Sequence, residues 1–438
     1  MMMRKWTATV VSPLTAVGTT RRRPLCSAAA AVARPLRTFQ VERYPGWTDG
    51  SDSLSSSETE PLSMHELLSH ADEEGLERWR SLSLGYASHN EGSPFLRREI
   101  LATQYLDDAA AGALLDEGHV NVVTPAEGIY LASRALLAPG DHVVATTPLY
   151  QSLGEVARSI GCEVSAWRPV DLDRRPRFDP AGLAALLRPG KTRLVIANFP
   201  HNPTGALPTA TELDEVIAQC DAAGCHLLID EMYRHLEHDG PAARLRAAAT
   251  AYHRGISLAG VSKTIGLPGL RIGWVASQDS ALMARIAQLK DYSTICPPSP
   301  SEALAAIALR AQPRLLERSR AIVARGLAAA REVVARHPER LVWAEPRGGT
   351  FCFVRLREEA AAAAAEAETA ASSRSSEAYC DALRARAGLM LMPGALFDVD
   401  GASASDAAQR VRLTYGRAGT AELLERWSED LSIHGIVL

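Results

Sequence analysis

A lysine followed eight residues later by an arginine is the feature of this sequence with the clearest chemical meaning. Lys263 and Arg271 lie in GVSKTIGLPGLRIGW, residues 260–274, and the chain has only four lysines against 43 arginines. A desolvated lysine can lose its proton and form an imine with a carbonyl, which arginine cannot do. The apolar flanks disfavour a solvated lysine. We therefore interpret Lys263 as a reactive amine and Arg271 as a fixed cation that could hold a phosphate.

Two polar motifs, HNPTG at 201–205 and DEMY at 230–233, each follow an apolar run. Pro203 favours an extended conformation at Asn202, and Gly205 permits a tight turn. Asp230 ends the run HLLID, where a partly buried carboxylate needs a partner. On its own, DEMY is more typical of a helix N-cap than of a functional site.

Short apolar runs indicate the elements that must position these residues. They predict strands at 121–124, 142–146, 163–167, 193–198, 226–230, 255–259 and 272–276, with helical patterns between most of them. Buried strands alternating with helices are typical of an α/β domain with a mostly parallel, mixed sheet flanked by helices. Ligands of such sheets bind at the carboxyl ends of the strands, where Asp230 and the loop before Lys263 would lie.

A second, smaller α+β domain is predicted after residue 310. Residues 301–337 predict a long helix broken at Pro313, and GGTFCFVRL and RVRLTYG predict strands. We assign 86–310 to the large domain, 311–438 to the small C-terminal domain, and 41–85 to an N-terminal segment and linker that joins the small domain. SDSLSSSETE, at 51–60, is typical of a surface loop, and the alanine-rich stretch 358–376 of an exposed insertion without chemistry.

The first 41 residues contain seven basic residues and no Asp or Glu. This pattern favours an organelle transit peptide over residues 1–40, for a mitochondrion or a plastid; the alternative is a disordered basic tail on a cytoplasmic protein. The net charge of −4 gives no reason to expect nucleic acid or a membrane as partner. Seven scattered cysteines without a CxxC pair disfavour a disulfide framework and a metal site.

Six segments, in order, resemble the class I/II aminotransferases, the fold-type-I enzymes of pyridoxal phosphate (PLP). The resemblance runs from about Leu82 to the C-terminus, and its segments are TPAEGIYLASRALLAPGDHV, TPLY, HNPTG, DEMY, SKTIGLPGLRIGW and VRLTYG. It implies that the large domain binds PLP and that the protein is a homodimer.

The resemblance also implies catalytic roles. Lys263 would form a Schiff base with PLP and move a proton at the substrate's α-carbon. Asp230 would pair with the pyridine nitrogen, and Asn202 and Tyr233 would hydrogen-bond the phenolate oxygen. Arg412, in VRLTYG, would grip the substrate's α-carboxylate, and Asn202 would also contact the substrate.

The remaining cofactor contacts follow in the same way. Tyr150 would stack on the ring and Arg271 would bind the phosphate, together with the backbone N–H groups of Ala126, Glu127 and Gly128.

Some positions depart from the family's pattern. Gly260 stands where Ser or Thr is common, and Ser262 could compensate for it. Ala126 stands where glycine is common. Tyr86 resembles a tyrosine that reaches a neighbouring subunit's phosphate, although its spacing to Gly92 is one residue longer than usual.

The resulting function hypothesis is an aminotransferase that moves an amino group between an L-amino acid and a 2-oxo acid. The segment KDYSTICPPSP, residues 290–300, is expected to line the pocket and favours a neutral substrate such as methionine or an aromatic amino acid. A PLP lyase, cyclase or oxidase of the same fold is the alternative. A non-catalytic binding module is a third hypothesis, and the presence of all the functional side chains counts against it.

Overall fold

The computed structural model describes residues 33–45, 52–87, 89–105, 114–357, 375–398 and 404–436. Its strands are β1 Asp52–Ser53, β2 Val120–Val123, β3 His142–Thr146, β4 Glu163–Trp167, β5 Thr192–Asn198, β6 His226–Asp230, β7 Gly255–Gly260, β8 Gly273–Ala276, β9 Leu341–Val342, β10 Phe351–Leu356, β11 Leu389–Met390, β12 Met392–Pro393 and β13 Arg410–Thr414. Its α-helices are α1 Met64–Ser69, α2 Glu73–Arg80, α3 Pro94–Gln104, α4 Pro125–Leu136, α5 Ser152–Ile160, α6 Pro180–Leu186, α7 Ala210–Ala223, α8 Ala248–Ala251, α9 Ser280–Lys290, α10 Ser299–Arg310, α11 Gln312–Arg336, α12 Ser376–Ala387, α13 Ala404–Ala407 and α14 Thr420–His434.

A seven-stranded mixed sheet forms the centre of the large domain, in the order β2-β8-β7-β6-β5-β3-β4. The strands β3 to β7 pair in parallel, and β8 is antiparallel to both of its neighbours. Each of the seven predicted strands is present, with ends that differ by at most one residue. The predicted α/β fold class is therefore confirmed.

The register of this sheet determines where the functional residues lie. Asn198 pairs with Asp230, and Asp230 pairs with Leu258, so that β5, β6 and β7 end side by side. Local signals fix the elements around them. For example, α7 is preceded by a capping box between Thr209 and Glu212 and is capped at its C-terminal end by Gly224, which has a positive φ of 69°. The loops that carry Asn202, Tyr233 and Lys263 therefore leave one edge of the sheet.

The small domain is built on the antiparallel sheet β12-β13-β10-β9, with β1 and β11 forming a separate parallel pair. Its core also takes residues from α11, α12 and α14. The predicted boundary at residue 311 is too sharp, because Leu315 at the start of α11 packs in the large domain, whereas Val323 packs in the small one.

The N-terminal segment also divides between the two cores. Tyr44 and Leu54 pack in the core of the small domain, whereas Leu67 and the helices α1 and α2 pack against α10 of the large domain. The prediction of a surface loop at 51–60 is wrong, because Ser55 and Thr59 are fully buried. Both are hydrogen-bonded, Ser55 Oγ to Met390 O and Thr59 Oγ1 to Lys263 O, which compensates for their burial.

Much of the predicted leader and insertion lies outside the described residues, namely 1–32 and 358–374. Residues 33–40, which the sequence assigned to the leader, lie against α5. Arg34 N donates to Ser159 O at 2.8 Å, and Arg37 Nε forms an ion pair with Glu155 at 2.8 Å. Within the described ranges, no helix has the length and apolarity that crossing a membrane requires.

Candidate active site

A pocket of about 540 Å³ lies where the carboxyl edge of the large sheet meets the small domain and the N-terminal segment. It brings together nine of the predicted site residues: Ala126, Tyr150, Asn202, Asp230, Tyr233, Ser262, Lys263, Arg271 and Arg412. Glu127 and Gly128 adjoin it, and Tyr86 does not line it. The described part of the chain has no group of three or more His, Cys, Asp or Glu side chains placed to hold a metal ion.

Lys263 lies just beyond β7, and its side chain is 27% exposed. Its Nζ donates to Ser57 Oγ at 2.9 Å and lies 3.7 Å from Glu58 Oε2. Burial lowers the pKa of Lys263 below its ordinary value, and Arg412 adds to this effect, whereas Glu58 opposes it. The amine is therefore placed where a neutral, nucleophilic form becomes more accessible than it is in water.

Asp230 is the last residue of β6, and its side chain is buried. Its Oδ1 accepts a hydrogen bond from Met232 N at 3.1 Å. Burial raises the pKa of Asp230 to about 6, although the Met232 N–H group and Lys263 partly offset that change. A cation bound in the pocket would favour the ionised carboxylate, which is the behaviour expected of a partner for a protonated ring nitrogen.

Arg412 is 1% exposed and cannot be the ordinary surface arginine that was its alternative interpretation. Its guanidinium group donates to Asn202 Oδ1 at 3.1 Å and to Ser55 O at 2.7 Å, and lies 4.9 Å from the centroid of the Phe397 ring. Its Nε has no hydrogen-bond partner within the described residues. These contacts fix a cation at the pocket wall, in a position to bind a carboxylate.

Two tyrosines border the same space. Tyr233 packs edge-on against Phe351 with ring centroids 4.6 Å apart, and burial raises the pKa of its phenol far above the ordinary range. It therefore stays protonated and able to donate a hydrogen bond. Tyr150 lies 5.0 Å from the Phe39 ring, and its hydroxyl donates to Glu42 Oε1 at 2.9 Å.

Ala126, Ser262 and Arg271 line the pocket at the start of α4. Ser262 Oγ is buried and has no hydrogen-bond partner among the described residues, so it is available to a ligand. Arg271 adopts a left-handed backbone conformation, with φ of 56°, and its Nη1 donates to Pro268 O at 3.0 Å. A helix start, a hydroxyl and a guanidinium together suit an anion such as a phosphate.

Gly128 does not have its predicted role, because its N–H group already donates to Thr124 O at 2.9 Å inside α4. The N–H groups of Ala126 and Glu127 remain for an anion, since they precede the first full helical hydrogen bond. Glycine is needed at 128 for packing. A Cβ there would lie 2.9 Å from side-chain atoms of Val123 and Leu258.

The structure places the remaining predicted residues outside the pocket. No residue of the segment 290–300 lines it, so that prediction is wrong; Lys290 is buried and its Nζ donates to Asn90 O and Val122 O, both at 2.5 Å. Tyr86 is 88% exposed on the surface. Gly260 is confined, since a Cβ would lie 2.9 Å from Gly273 Cα on the paired strand, which explains the absence of Ser or Thr there.

Sequence reasoning missed ten of the residues that line the pocket, and five of these lie near the N-terminus, between residues 39 and 58: Phe39, Val41, Glu42, Ser57 and Glu58. Glu58 forms an ion pair with Arg417 at 3.0 Å as well as facing Lys263. The only signal for Glu42 is that it is the first acidic residue after the acid-free leader. Nothing in the local pattern shows that this segment folds back over α5 and the pocket.

Comparisons with known proteins agree with this geometry. The sequence model for aminotransferase class I and II matches residues 89–431. The chain is 33% identical to capreomycidine synthase of Streptomyces vinaceus, over 72% of this chain and 76% of the relative. It is 30% identical to an arginine–pyruvate transaminase of Pseudomonas aeruginosa, over 66% and 69%.

Solved structures show the same fold. A PLP-dependent aminotransferase from Streptococcus suis superposes with a TM-score of 0.76 at 26% identity, covering 91% of this chain and 98% of that one. The PLP-dependent cyclase OrfR superposes with a TM-score of 0.75 at 27% identity, covering 91% and 99%.

The pocket suits PLP, which combines an aldehyde, a pyridine nitrogen and a phosphate. It presents an amine at Lys263, a buried carboxylate at Asp230, and the unpartnered Ser262 hydroxyl beside Arg271. The fold, the pocket and the sequence match over 89–431 agree, and the chain belongs to the class I and II aminotransferase family, with pyridoxal phosphate as its cofactor.

Proposed function

We propose that the protein is an aminotransferase that moves an amino group between an L-amino acid and a 2-oxo acid. The observation that carries the proposal is that Lys263, Asp230 and Arg412 face one pocket, although they come from three distant parts of the chain. The arginine–pyruvate transaminase among the relatives supports this reaction class and makes arginine a rational first donor to test.

In this proposal PLP supplies the carbonyl group and the electron sink. Arg412 binds the substrate's α-carboxylate and so orients the α-carbon. Lys263 Nζ removes the α-proton and later returns a proton, a task favoured by its lowered pKa. Asp230 would hold the ring nitrogen, with Asn202 and Tyr233 at the ring oxygen.

The other contacts position the cofactor. Tyr150 would pack against its ring. Ser262, Arg271 and the N–H groups of Ala126 and Glu127 would hold its phosphate at the helix start.

A cyclase is the second candidate, and lyase or oxidase chemistry belongs to the same class of outcome. The cyclase is favoured by two of the similar proteins, capreomycidine synthase and the PLP-dependent cyclase OrfR. Removal of the α-proton by Lys263 would be common to both candidates. They differ in the fate of the substrate afterwards, and only the aminotransferase consumes a 2-oxo acid.

Product analysis separates the candidates. The PLP-loaded protein is incubated with L-amino acids and either pyruvate or 2-oxoglutarate, and products are identified by mass spectrometry. A new amino acid formed in step with loss of the oxo acid is the expected result. Ammonia, peroxide or a cyclised amino acid formed without the oxo acid would instead establish the second candidate. A protein that takes up no PLP would be a non-catalytic module.

Two assignments beyond the reaction are also proposals. We propose that residues 1–40 contain an organelle targeting signal and that the enzyme is a homodimer. Fusion of residues 1–40 to a fluorescent protein tests the first by its location in cells. Analytical ultracentrifugation tests the second.

A further inference from the structure

Glu42 is a carboxylate at the pocket wall for which the PLP reaction has no evident use. It belongs to the N-terminal segment, lines the pocket with Phe39 and accepts a hydrogen bond from the Tyr150 hydroxyl at 2.9 Å. Among the described residues, no Lys, Arg or His side chain forms an ion pair with it. Its charge nevertheless reaches the catalytic centre, since it partly opposes the lowering of the pKa that burial causes at both Lys263 and Arg412.

The charges that line the pocket can be matched with the groups that PLP and an amino acid would bring. The cationic side chains are Lys263, Arg271 and Arg412, and the anionic ones are Glu42, Glu58 and Asp230. With PLP and an amino acid bound, Arg271 would face the phosphate, Arg412 the α-carboxylate and Asp230 the ring nitrogen. Glu58 already pairs with Arg417. Lys263 would act as a neutral base, so that Glu42 is, among the described residues that line the pocket, the one charge left without an opposite charge.

The surroundings of Glu42 are those of a site for an organic cation. The rings of Phe39 and Tyr150 lie 5.0 Å apart beside the carboxylate. Aromatic faces attract ammonium and guanidinium groups and pack against the alkyl part of a long side chain. One Glu42 oxygen accepts the Tyr150 hydroxyl, which orients the carboxylate and leaves the other oxygen for a ligand.

We infer that the pocket selects amino acids with a long, positively charged side chain, and that Glu42 is the specificity-determining residue that pairs with the cation. This inference rests on the proposed function, because it requires the α-carboxylate to bind at Arg412. It replaces the preference for a neutral side chain, whose basis was the segment 290–300 that lies outside the pocket.

The test compares substrates of equal shape and different charge. The PLP-loaded protein is titrated, without any oxo acid, with L-arginine and with its neutral isostere L-citrulline, and half-saturation is read from the cofactor's absorbance. We expect the half-saturation concentration of arginine to be at least about tenfold lower than that of citrulline. One charge-assisted contact in a partly exposed site accounts for a difference of this size. The preference should shrink at high salt, since the pocket is open to solvent.

Variants assign the preference to one side chain. Glu42→Gln should bring the arginine-to-citrulline ratio to within about twofold, and Glu42→Asp should keep part of it. Glu163→Gln is the control, because Glu163 is an exposed glutamate at the start of β4 that does not line the pocket and pairs with Arg188 and Lys191. Unchanged PLP content and circular dichroism establish that each variant is folded.

The outcomes separate the inference from the proposed function. Equal half-saturation for arginine and citrulline in the wild-type protein, with turnover of either, overturns the inference and leaves the function standing. A preference that survives in Glu42→Gln also overturns it. No spectral response and no product with any amino acid would overturn the proposed function, and the inference with it.

Discussion

At the scale of single residues, Lys263 supports the sharpest prediction. Lys263→Ala should lose turnover by about 10³-fold or more, because no other described amine lines the pocket to move the α-proton. It should still bind PLP through Asp230 and Arg271. Lys263→Arg should be equally inactive, since a guanidinium group neither forms a useful imine nor gives up its proton. Single-turnover absorbance and product formation measure both effects.

Lys191→Ala is the control for these variants. Lys191 is half exposed, pairs with Glu163 at 2.9 Å and does not line the pocket. Its turnover should match that of the wild-type protein. Turnover of Lys263→Ala within tenfold of wild type would remove Lys263 from the catalytic machinery.

Asp230 gives a prediction about stability and pH in the PLP-free protein. Burial raises its pKa from 3.8 to about 6. Between about pH 4 and pH 6 the unfolded chain therefore loses a proton that the folded protein keeps, and the free energy of unfolding falls as the pH rises. The shift of about two pKa units corresponds to about 3 kcal/mol.

The comparison with Asp230→Asn isolates this effect. Glu231, which burial shifts to a pKa of about 7, titrates in an overlapping range but is present in both proteins. Urea unfolding at several pH values should show the wild type losing stability relative to the variant from pH 4 to pH 6. A difference that stays constant over that range would mean that Asp230 is solvated.

At the scale of elements, the contact between β7 and β8 decides the effect of Gly260→Ser. The substitution introduces the residue type common in the family, but its Cβ would lie 2.9 Å from Gly273 Cα and Ile272 O. We expect a loss of about 1–3 kcal/mol in the free energy of unfolding and no gain in PLP affinity. Gly269→Ser is the control, since its Cβ has no atom within 4 Å. Equal stability of the two variants would contradict the close strand contact.

The strands of the large sheet could be predicted from the sequence, but the path of the N-terminal segment could not. The strands of the large sheet are buried apolar runs, and Asp230 and Lys263 stand at or just beyond the ends of two of them, so motif order was sufficient to place them. Ser57 was not predictable from its neighbours. Its carbonyl oxygen accepts a hydrogen bond from Thr350 Oγ1 at 2.8 Å, and its hydroxyl accepts one from Lys263, so its half-buried position depends on partners more than 200 residues away. A polar, serine-rich stretch predicts exposure until such partners are known.

At the scale of the whole molecule, the pocket needs nearly the full length of the chain. Phe39 comes from the end of the predicted leader and Glu42 from the N-terminal segment, whereas Asp230 and Lys263 come from the large domain and Arg412 from the small domain. Such a site forms only when both cores are folded and in contact. The sequence identified the two cores but not the N-terminal residues that line the space between them.

Tyr86 extends this reasoning to a second subunit. It is 88% exposed and outside the pocket of its own chain, whereas the family resemblance implies a contact with the phosphate in a partner's site. Tyr86→Phe should then weaken PLP binding by about tenfold through loss of one hydrogen bond to a charged group. Equilibrium dialysis measures that affinity, with Tyr292→Phe, equally exposed at 89%, as the matched control.

Mixing two defective variants tests whether the contact crosses the subunit interface. In a hybrid dimer of Lys263→Ala and Tyr86→Phe, one site receives both defects and the other receives neither. Equal mixing with free exchange makes half of the dimers hybrids, so about a quarter of all active sites in the mixture carry neither defect. Their activity is measured at limiting PLP. Activity above the mean of the two parents is the expected result. Activity equal to that mean, or a fully active monomer by ultracentrifugation, would place Tyr86 outside the active site.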